Sequence, residues 1–262
     1  MSTWYELASM TWPEFKAAQR HVRVALQPVG ATEQHGPNMT FETDIRIAQE
    51  MARRLAATVH PLAVVLPPLP VGISYHHMGF PGTLTVSEQT FHAVLMDVAS
   101  SVKQHGITKL VFVNGHFGNV AALGTLVTRL RYEAGVTAGA LFYFTQAADT
   151  MAKHAKTARW GHACEIEASV GLAVAPDLVR TRALAPGEML DLPWRFAGNL
   201  VPFAAQVAFA FHEMTTNGAF GDARLATREA GEAIVATAVE RGAAFLRDFA
   251  GAAEGAPREA GG

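Results

Sequence analysis

The sequence predicts an α/β fold built on a largely parallel sheet. Short apolar runs alternate along the chain with helical-period segments of about 10–20 residues, the signature of βαβ units. One of the runs, KLVFV at 109–113, is apolar without interruption, as a strand covered on both faces must be. No Gly/Ser-rich linker divides the chain, so residues 1–250 read as one domain. The last dozen residues, GAAEGAPREAGG at 251–262, read as a mobile tail.

The elements follow in order. Residues 23–30 (RVALQPVG) are apolar and partly β-branched and end in Pro-x-Gly, which reads as a strand. Residues 43–57 repeat apolar side chains at Ile45, Ile47, Ala48, Met51 and Leu55, a helical stripe with Thr43 available as N-cap. Residues 63–66 form a short apolar run stopped by two prolines. Residues 87–105 predict a helix: Ser87 can cap it, and Phe91, Val94, Leu95, Val98 and Val102 make one stripe. Gly106 closes it. After the 109–113 strand come a helix at 120–132, a strand at 136–145, a helix at 165–174, a late strand at 207–211 and a closing helix at 225–249.

Composition bounds the function. The chain has 262 residues, half of them hydrophobic, with 21 basic and 23 acidic side chains and a net charge of −2. A disordered chain needs the opposite balance, and nothing in the totals suits binding to nucleic acid through bulk positive charge. Cys164 is the one cysteine, so no internal disulfide forms. No leader-like n-region opens the sequence, and no apolar stretch approaches the roughly 18–20 residues that span a bilayer. The expectation is a cytoplasmic enzyme-like domain with no membrane or nucleic-acid partner.

Four residues of matching chemistry fall near predicted strand ends. Glu33 and His35 follow the first strand, and a strand-like alternation would send both to one side. Asp44 opens the next helix. His116 lies in Asn114-Gly-His-Phe-Gly-Asn119, just past the 109–113 strand. In open α/β sheets, functional groups collect beyond the carboxyl ends of the strands. Two carboxylates and two imidazoles are a ligand set that Zn²⁺ or Mn²⁺ takes. Taken singly, each has a plainer reading. Glu-x-His on a loop is solvated surface, Asp44 is an acid favoured at a helix start, and Asn114-Gly115 is turn chemistry. A further segment, WGHACEIEAS at 160–169, gathers His162, Glu165 and Glu167. Either Glu165 completes a metal site and His162 moves a proton, or these are first-turn acids beside a loop histidine. Cys164 reads as a small packed residue, not a nucleophile.

With these blocks in view the sequence resembles the creatininase family of metal-dependent amidohydrolases. The resemblance rests on PVGATEQHGP (28–37) with Asp44, FPGTLTVS (80–87), VNGHFGN (113–119), GHACEIEAS (161–169) and the closing segment GAFGDARLATREAGEAI (218–234). It implies a three-layer α/β/α sandwich, a homohexamer, and two divalent metal ions per subunit, Zn²⁺ and/or Mn²⁺. By position, Glu33, Asp44 and His116 would hold one metal. His35, Asp44 and a further carboxylate would hold the other, with Asp44 bridging. Creatinine amidohydrolase has that carboxylate two residues after the NGH histidine, where this chain has Gly118. Members with NGHxGN take it from the later segment, which assigns it to Glu165.

The implied reaction is hydrolysis of a small-molecule substrate at an amide C–N bond other than a peptide bond, in a cyclic amide or a formamide. Water bridging the two metals would attack, and His162, with Glu165 as the other catalytic residue, would protonate the leaving group. Glu167 and Asn114 are expected to brace the ligands. Departures from the family pattern lie at Asn38, Met39 and Thr40, where many members have His-Leu-Pro, and in the loop Ser74–Gly79, which is this chain's own. Tyr75, His76 and His77 of that loop, with Trp160, are the candidate substrate contacts. Two other readings stand beside this one: hydrolysis of a keto-inositol or related cyclic ketone at the same metal site, and a metabolite-binding homologue without catalysis.

Overall fold

The computed structural model describes residues 4–190, 208 and 210–252. Among the described residues, five strands form one sheet: β1 (Tyr5–Glu6), β2 (Val24–Val29), β3 (Ala63–Val65), β4 (Lys109–Asn114) and β5 (Thr137–Phe142). Their order is β1-β3-β2-β4-β5 and every neighbouring pair is parallel. The helices are α1 (Trp12–Gln19), α2 (Thr43–Thr58), α3 (Glu88–Gln104), α4 (Val120–Arg129), α5 (Tyr143–Gln146), α6 (Ala148–His154), α7 (Glu165–Val174), α8 (Phe211–Met214) and α9 (Arg228–Gly251). None of the described helices is long and apolar enough to cross a membrane.

Strand alternation builds the three layers. Val24 and Leu26 of β2 and Val111 and Val113 of β4 pack against Ile47, Met51 and Leu55 of α2, Ile166 and Val170 of α7 and Ile234 of α9. Their neighbours Ala25, Val29, Leu110 and Phe112 point the other way, onto Phe91 and Leu95 of α3 and Leu123 and Leu126 of α4. Each large apolar side chain removed from water contributes about 1.5–3 kcal/mol. The doubly covered β4 is why KLVFV carries no polar alternation.

The boundaries show where tertiary context overrides local pattern. Ser87 caps α3, accepting from Thr90 N at 3.1 Å, and Gly106 follows the helix at φ +82°. Thr43, expected as a cap, is instead the first residue of α2, and its hydroxyl donates to Thr40 O at 2.6 Å. The predicted strand at 136–145 stops at Phe142. The pairing of β4 with β5 ends at Asn114↔Phe142, and the next residues satisfy their backbone in α5. Of the predicted late strand, residues 207 and 209 lie outside the described residues, and Phe211 opens α8. Of the predicted tail, Gly251 ends α9 and residues 253–262 lie outside the described residues.

The sheet order places a switch point between β2 and β4, since β3 flanks β2 on one side and β4 on the other. Two glycines at these strand ends admit the start of α2. A Cβ on Gly30 would stand 2.5 Å from Ile45 N, and one on Gly115 would stand 2.1 Å from Asp44 O. The first turn of α2 therefore rests directly on both strand ends, and Asp44 sits between them. We expect Gly115→Ala to cost about 1–3 kcal/mol through overpacking and to lower Tm by several degrees in thermal unfolding.

Candidate metal centre

The side chains that meet at the switch point are held from three directions. Glu33 and His35 leave β2 in a segment pinned by Glu33 N donating to Phe41 O at 3.2 Å. His116 leaves β4 with its backbone clamped by Asn114, which donates to His116 O at 2.6 Å and accepts from His116 N at 3.1 Å. Asn119 ties the two strand ends together, donating to Gly30 O at 3.0 Å and to Asn114 Oδ1 at 3.3 Å, and it accepts from Ile73 N at 3.0 Å. His162 and Glu167 come from the start of α7 and the loop before it. There Glu167 Oε2 accepts from Ala163 N at 2.6 Å, and Ala163 has a left-handed φ of +50°.

The geometry is close and buried. Glu33, His35, Asp44, His116 and Glu167 are each at most 3% exposed. Asp44 lies between two imidazoles: its Oδ1 is 3.2 Å from His35 Nε2 and its Oδ2 is 3.1 Å from His116 Nδ1. Glu33 Oε2 is 3.3 Å from His116 Nδ1, and Glu167 Oε2 is 3.5 Å from His35 Nε2. His162 Nδ1 stands 3.8 Å from Glu33 Oε1 and 4.0 Å from Glu167 Oε2.

Backbone carbonyls decide which nitrogen of each ring faces the carboxylates. A carbonyl only accepts, so the nitrogen bonded to it carries a proton. His35 Nδ1 donates to Glu33 O at 3.1 Å, His116 Nε2 to Ile73 O at 3.0 Å and His162 Nε2 to Gln34 O at 2.8 Å. The opposite nitrogens, His35 Nε2, His116 Nδ1 and His162 Nδ1, face the acids. This outer hydrogen bond is how metal-ligating histidines are oriented. His35 Nε2 and Asp44 Oδ2 are buried without a hydrogen bond of acceptable geometry, although both lie within ion-pair distance of a partner. Buried polar atoms are rarely left so. Groups of three donors lie with their atoms within 4.8 Å of one another, Glu33 with His35 and Asp44, and His35 with His162 and Glu167, among others. The donor set fits divalent cations of the zinc or manganese kind.

Electrostatics point the same way. Burial pushes the Glu33 carboxyl above its ordinary range. Burial opposes charge on His35 and His116, but the carboxylates overrule it and hold both rings well above the usual histidine range: Glu167 and Asp44 for His35, Glu33 and Asp44 for His116. Burial would likewise raise Asp44, yet His35 and His116 keep it below the carboxylate range. His162 and His77 are pushed well below theirs, first by burial and then by the neighbouring imidazoles. Without a cation, protons on His35 and His116 balance the acids.

Several expected site residues have other surroundings. Glu165 does not join the cluster. Its Oε1 accepts from Lys156 N, Thr157 N and Thr157 Oγ1 at 3.1, 2.9 and 2.6 Å, and its Oε2 accepts from Asp222 N at 3.0 Å. Glu165 thus ties two loops together, and Glu167, expected only as a brace, is the acid of α7 that faces His35. The two positions differ by about 200° around a helix of 3.6 residues per turn, so one of them must turn away. Gly118 has no room for an acid, because a Cβ there would meet Ile73 O at 2.3 Å and His116 Nε2 at 2.4 Å. His76 lies flat over His116, with centroids 5.5 Å and planes 8° apart, and burial followed by the His116 charge pulls it down to about 4. Tyr75 is exposed, whereas His77 is buried and hydrogen-bonded to Gln34 and close to Glu33. Trp160 stacks on Phe144 at 6.4 Å and packs against the core. Cys164 is fully buried, and burial, with Glu167 beside it, pushes its thiol up to about 12. Ser74, Gln34 and Phe211 were not singled out by the sequence. Ser74 Oγ donates to Glu33 Oε2 at 2.8 Å. The Phe211 ring lies 4.1 Å from that of His77 and 4.8 Å from that of His162. Gln34 stood within the EQHGP block, but an amide there gives no sign of its partners.

Comparison with known proteins gives a consistent picture. The Creatininase family profile, described as creatinine amidohydrolase, matches residues 8–246. The chain is 36% identical over 222 residues to the mycofactocin precursor peptide peptidase of Mycolicibacterium smegmatis, covering 83% of this chain and 82% of that protein. It superposes on a putative creatinine amidohydrolase from Bacteroides fragilis with a TM-score of 0.83 at 24% identity, covering 97% and 99% of the two chains. A creatininase structure with Mn gives a TM-score of 0.76 at 26% identity, covering 93% and 97%.

The hydrogen bonds to Glu165 make a separate prediction. They outweigh burial and hold its carboxyl below the ordinary value of 4.5, so its ionised form stabilises the fold above that pH and the benefit fades as pH falls through the lowered value. Glu165→Ala should lower stability by about 2–3 kcal/mol at neutral pH. Its Tm deficit should narrow below about pH 4.5 in thermal scans.

Proposed function

The chain belongs to the creatininase family, and we propose that it cleaves an amide C–N bond with two divalent cations held at the switch point. One observation carries the reading: the inner ring nitrogens of His35 and His116, those not tied to a backbone carbonyl, converge on the two oxygens of a single buried Asp44. Glu33, His116 and Asp44 would hold one cation, and His35, Glu167 and Asp44 the other, with Asp44 shared. When bound, such a pair supplies Lewis acidity, polarising the scissile carbonyl and making water acidic near neutral pH.

The protein's own groups do the rest. His162 donates through Nε2 to Gln34 O, so Nδ1 is the nitrogen free to take a proton and pass it to the departing nitrogen. Phe211 lies edge-on to that ring and limits water around it. The complete donor set argues for catalysis over a binding-only role.

The substrate we favour is a short peptide, since the similarity to the peptidase runs along most of both chains. The closed space at Gly118 separates this site from the acid-bearing pattern of creatinine amidohydrolase. A cyclic amide or formamide is the second reading, supported by the description of the family profile. On the same family footing we take the working assembly to be a cytoplasmic homohexamer, which light scattering checks.

Purified and reconstituted protein should carry about two equivalents of Zn or Mn per chain by elemental analysis. Chelation should abolish turnover of a panel of short peptides, lactams, formamides and cyclic ketones. Absence of metal after reconstitution overturns the reading. Asp44→Asn should lose both cations. His162→Ala should keep them while turnover falls by about 10²–10⁴; wild-type turnover in that variant removes the proton carrier.

A further inference from the structure

His77 lies in the loop 74–79, and both of its ring nitrogens are engaged. Its side chain is 2% exposed. Nδ1 lies 2.9 Å from Gln34 Nε2, and Nε2 lies 3.3 Å from Glu33 Oε1.

Hydrogen-bond bookkeeping settles the direction of this chain. Gln34 Oε1 accepts from Gly36 N at 2.8 Å, and Gln34 Nε2 donates to Gly218 O at 3.0 Å, so the amide cannot be turned the other way round. An amide nitrogen has two hydrogens. One goes to Gly218 O, which leaves the other for His77 Nδ1. The remaining neighbour, His162 Nε2 at 3.2 Å, already donates to Gln34 O and takes neither. A ring that accepts at Nδ1 carries its proton on Nε2, facing Glu33 Oε1.

We infer that His77 is a positioning residue: Gln34 fixes it in the Nε2–H tautomer, and in that form it donates to Glu33 Oε1 and fixes the carboxylate. Ser74 Oγ holds the other oxygen, Oε2, which faces His116 Nδ1. Glu33 is therefore oriented through both oxygens before any cation arrives. His77 offers no lone pair toward the cluster in this state, so in this form it does not act as a metal ligand. The consequence for cation affinity rests on the metal reading above; the tautomer does not.

The test uses the full chain with ¹⁵N-labelled histidine. In metal-free wild type, the His77 ring signals, identified by their loss in His77→Phe, should show an unprotonated Nδ1 and a protonated Nε2. Gln34→Glu, which cannot donate to Nδ1, should reverse the tautomer. In calorimetric titration with Mn²⁺ or Zn²⁺, folded His77→Phe and Gln34→Glu should bind one of the two cations about 10–100-fold more weakly. His77→Gln, which keeps an N–H donor, should recover much of the loss. A wild-type ring protonated on Nδ1 overturns the inference, as does wild-type cation affinity in folded His77→Phe. If wild type binds no cation, the metal reading falls, and the tautomer spectrum alone decides the role of His77.

Discussion

Three carboxylates, Glu33, Asp44 and Glu167, lie buried together at the carboxyl ends of the strands. Buried like charges with no water repel strongly and survive only beside compensating positive charge. His35 and His116 provide it in the metal-free protein by holding protons that burial alone would remove. A pair of divalent cations would provide it more fully. The hydrogen bonds around the cluster are arranged for that charge: outer nitrogens are tied to carbonyls, and inner atoms are left open.

The fold brings this about with few devices. Parallel order and the switch point put the ends of β2 and β4 side by side. Gly30 and Gly115 let the start of α2 lie against both, and Asn114 and Asn119 lace the two loops to each other. The apolar layers on either side bury the sheet that carries these strand ends. Such preorganisation matters because a metal site tolerates little displacement of its donors.

The surrounding polar shell is as specific as the donors themselves. Gln34 alone bonds to Gly36, Gly218 and His77 through its side chain, and its carbonyl receives His162. It couples the first block of the sequence to a segment some 180 residues later. Glu165 serves a different end, anchoring the loop before α7 to the one before α9. These two residues divide the work of holding the site's distant parts in register.

Hydrophobic periodicity by itself determined the α/β class, the parallel sheet and the main helices, because burial imposes periods of two and 3.6 that survive in one dimension. The motifs likewise named Glu33, His35, Asp44 and His116, whose spacing follows strand ends. That Glu167 and not Glu165 faces His35 depends on the orientation of α7, since two acids in one helical turn look alike along a sequence. The same holds for His77, Ser74 and Gln34: their roles are hydrogen bonds spanning 41 to 184 positions. Tertiary structure decided these because a donor's partner is set by direction and distance in space, and neither is written in the local pattern of residues.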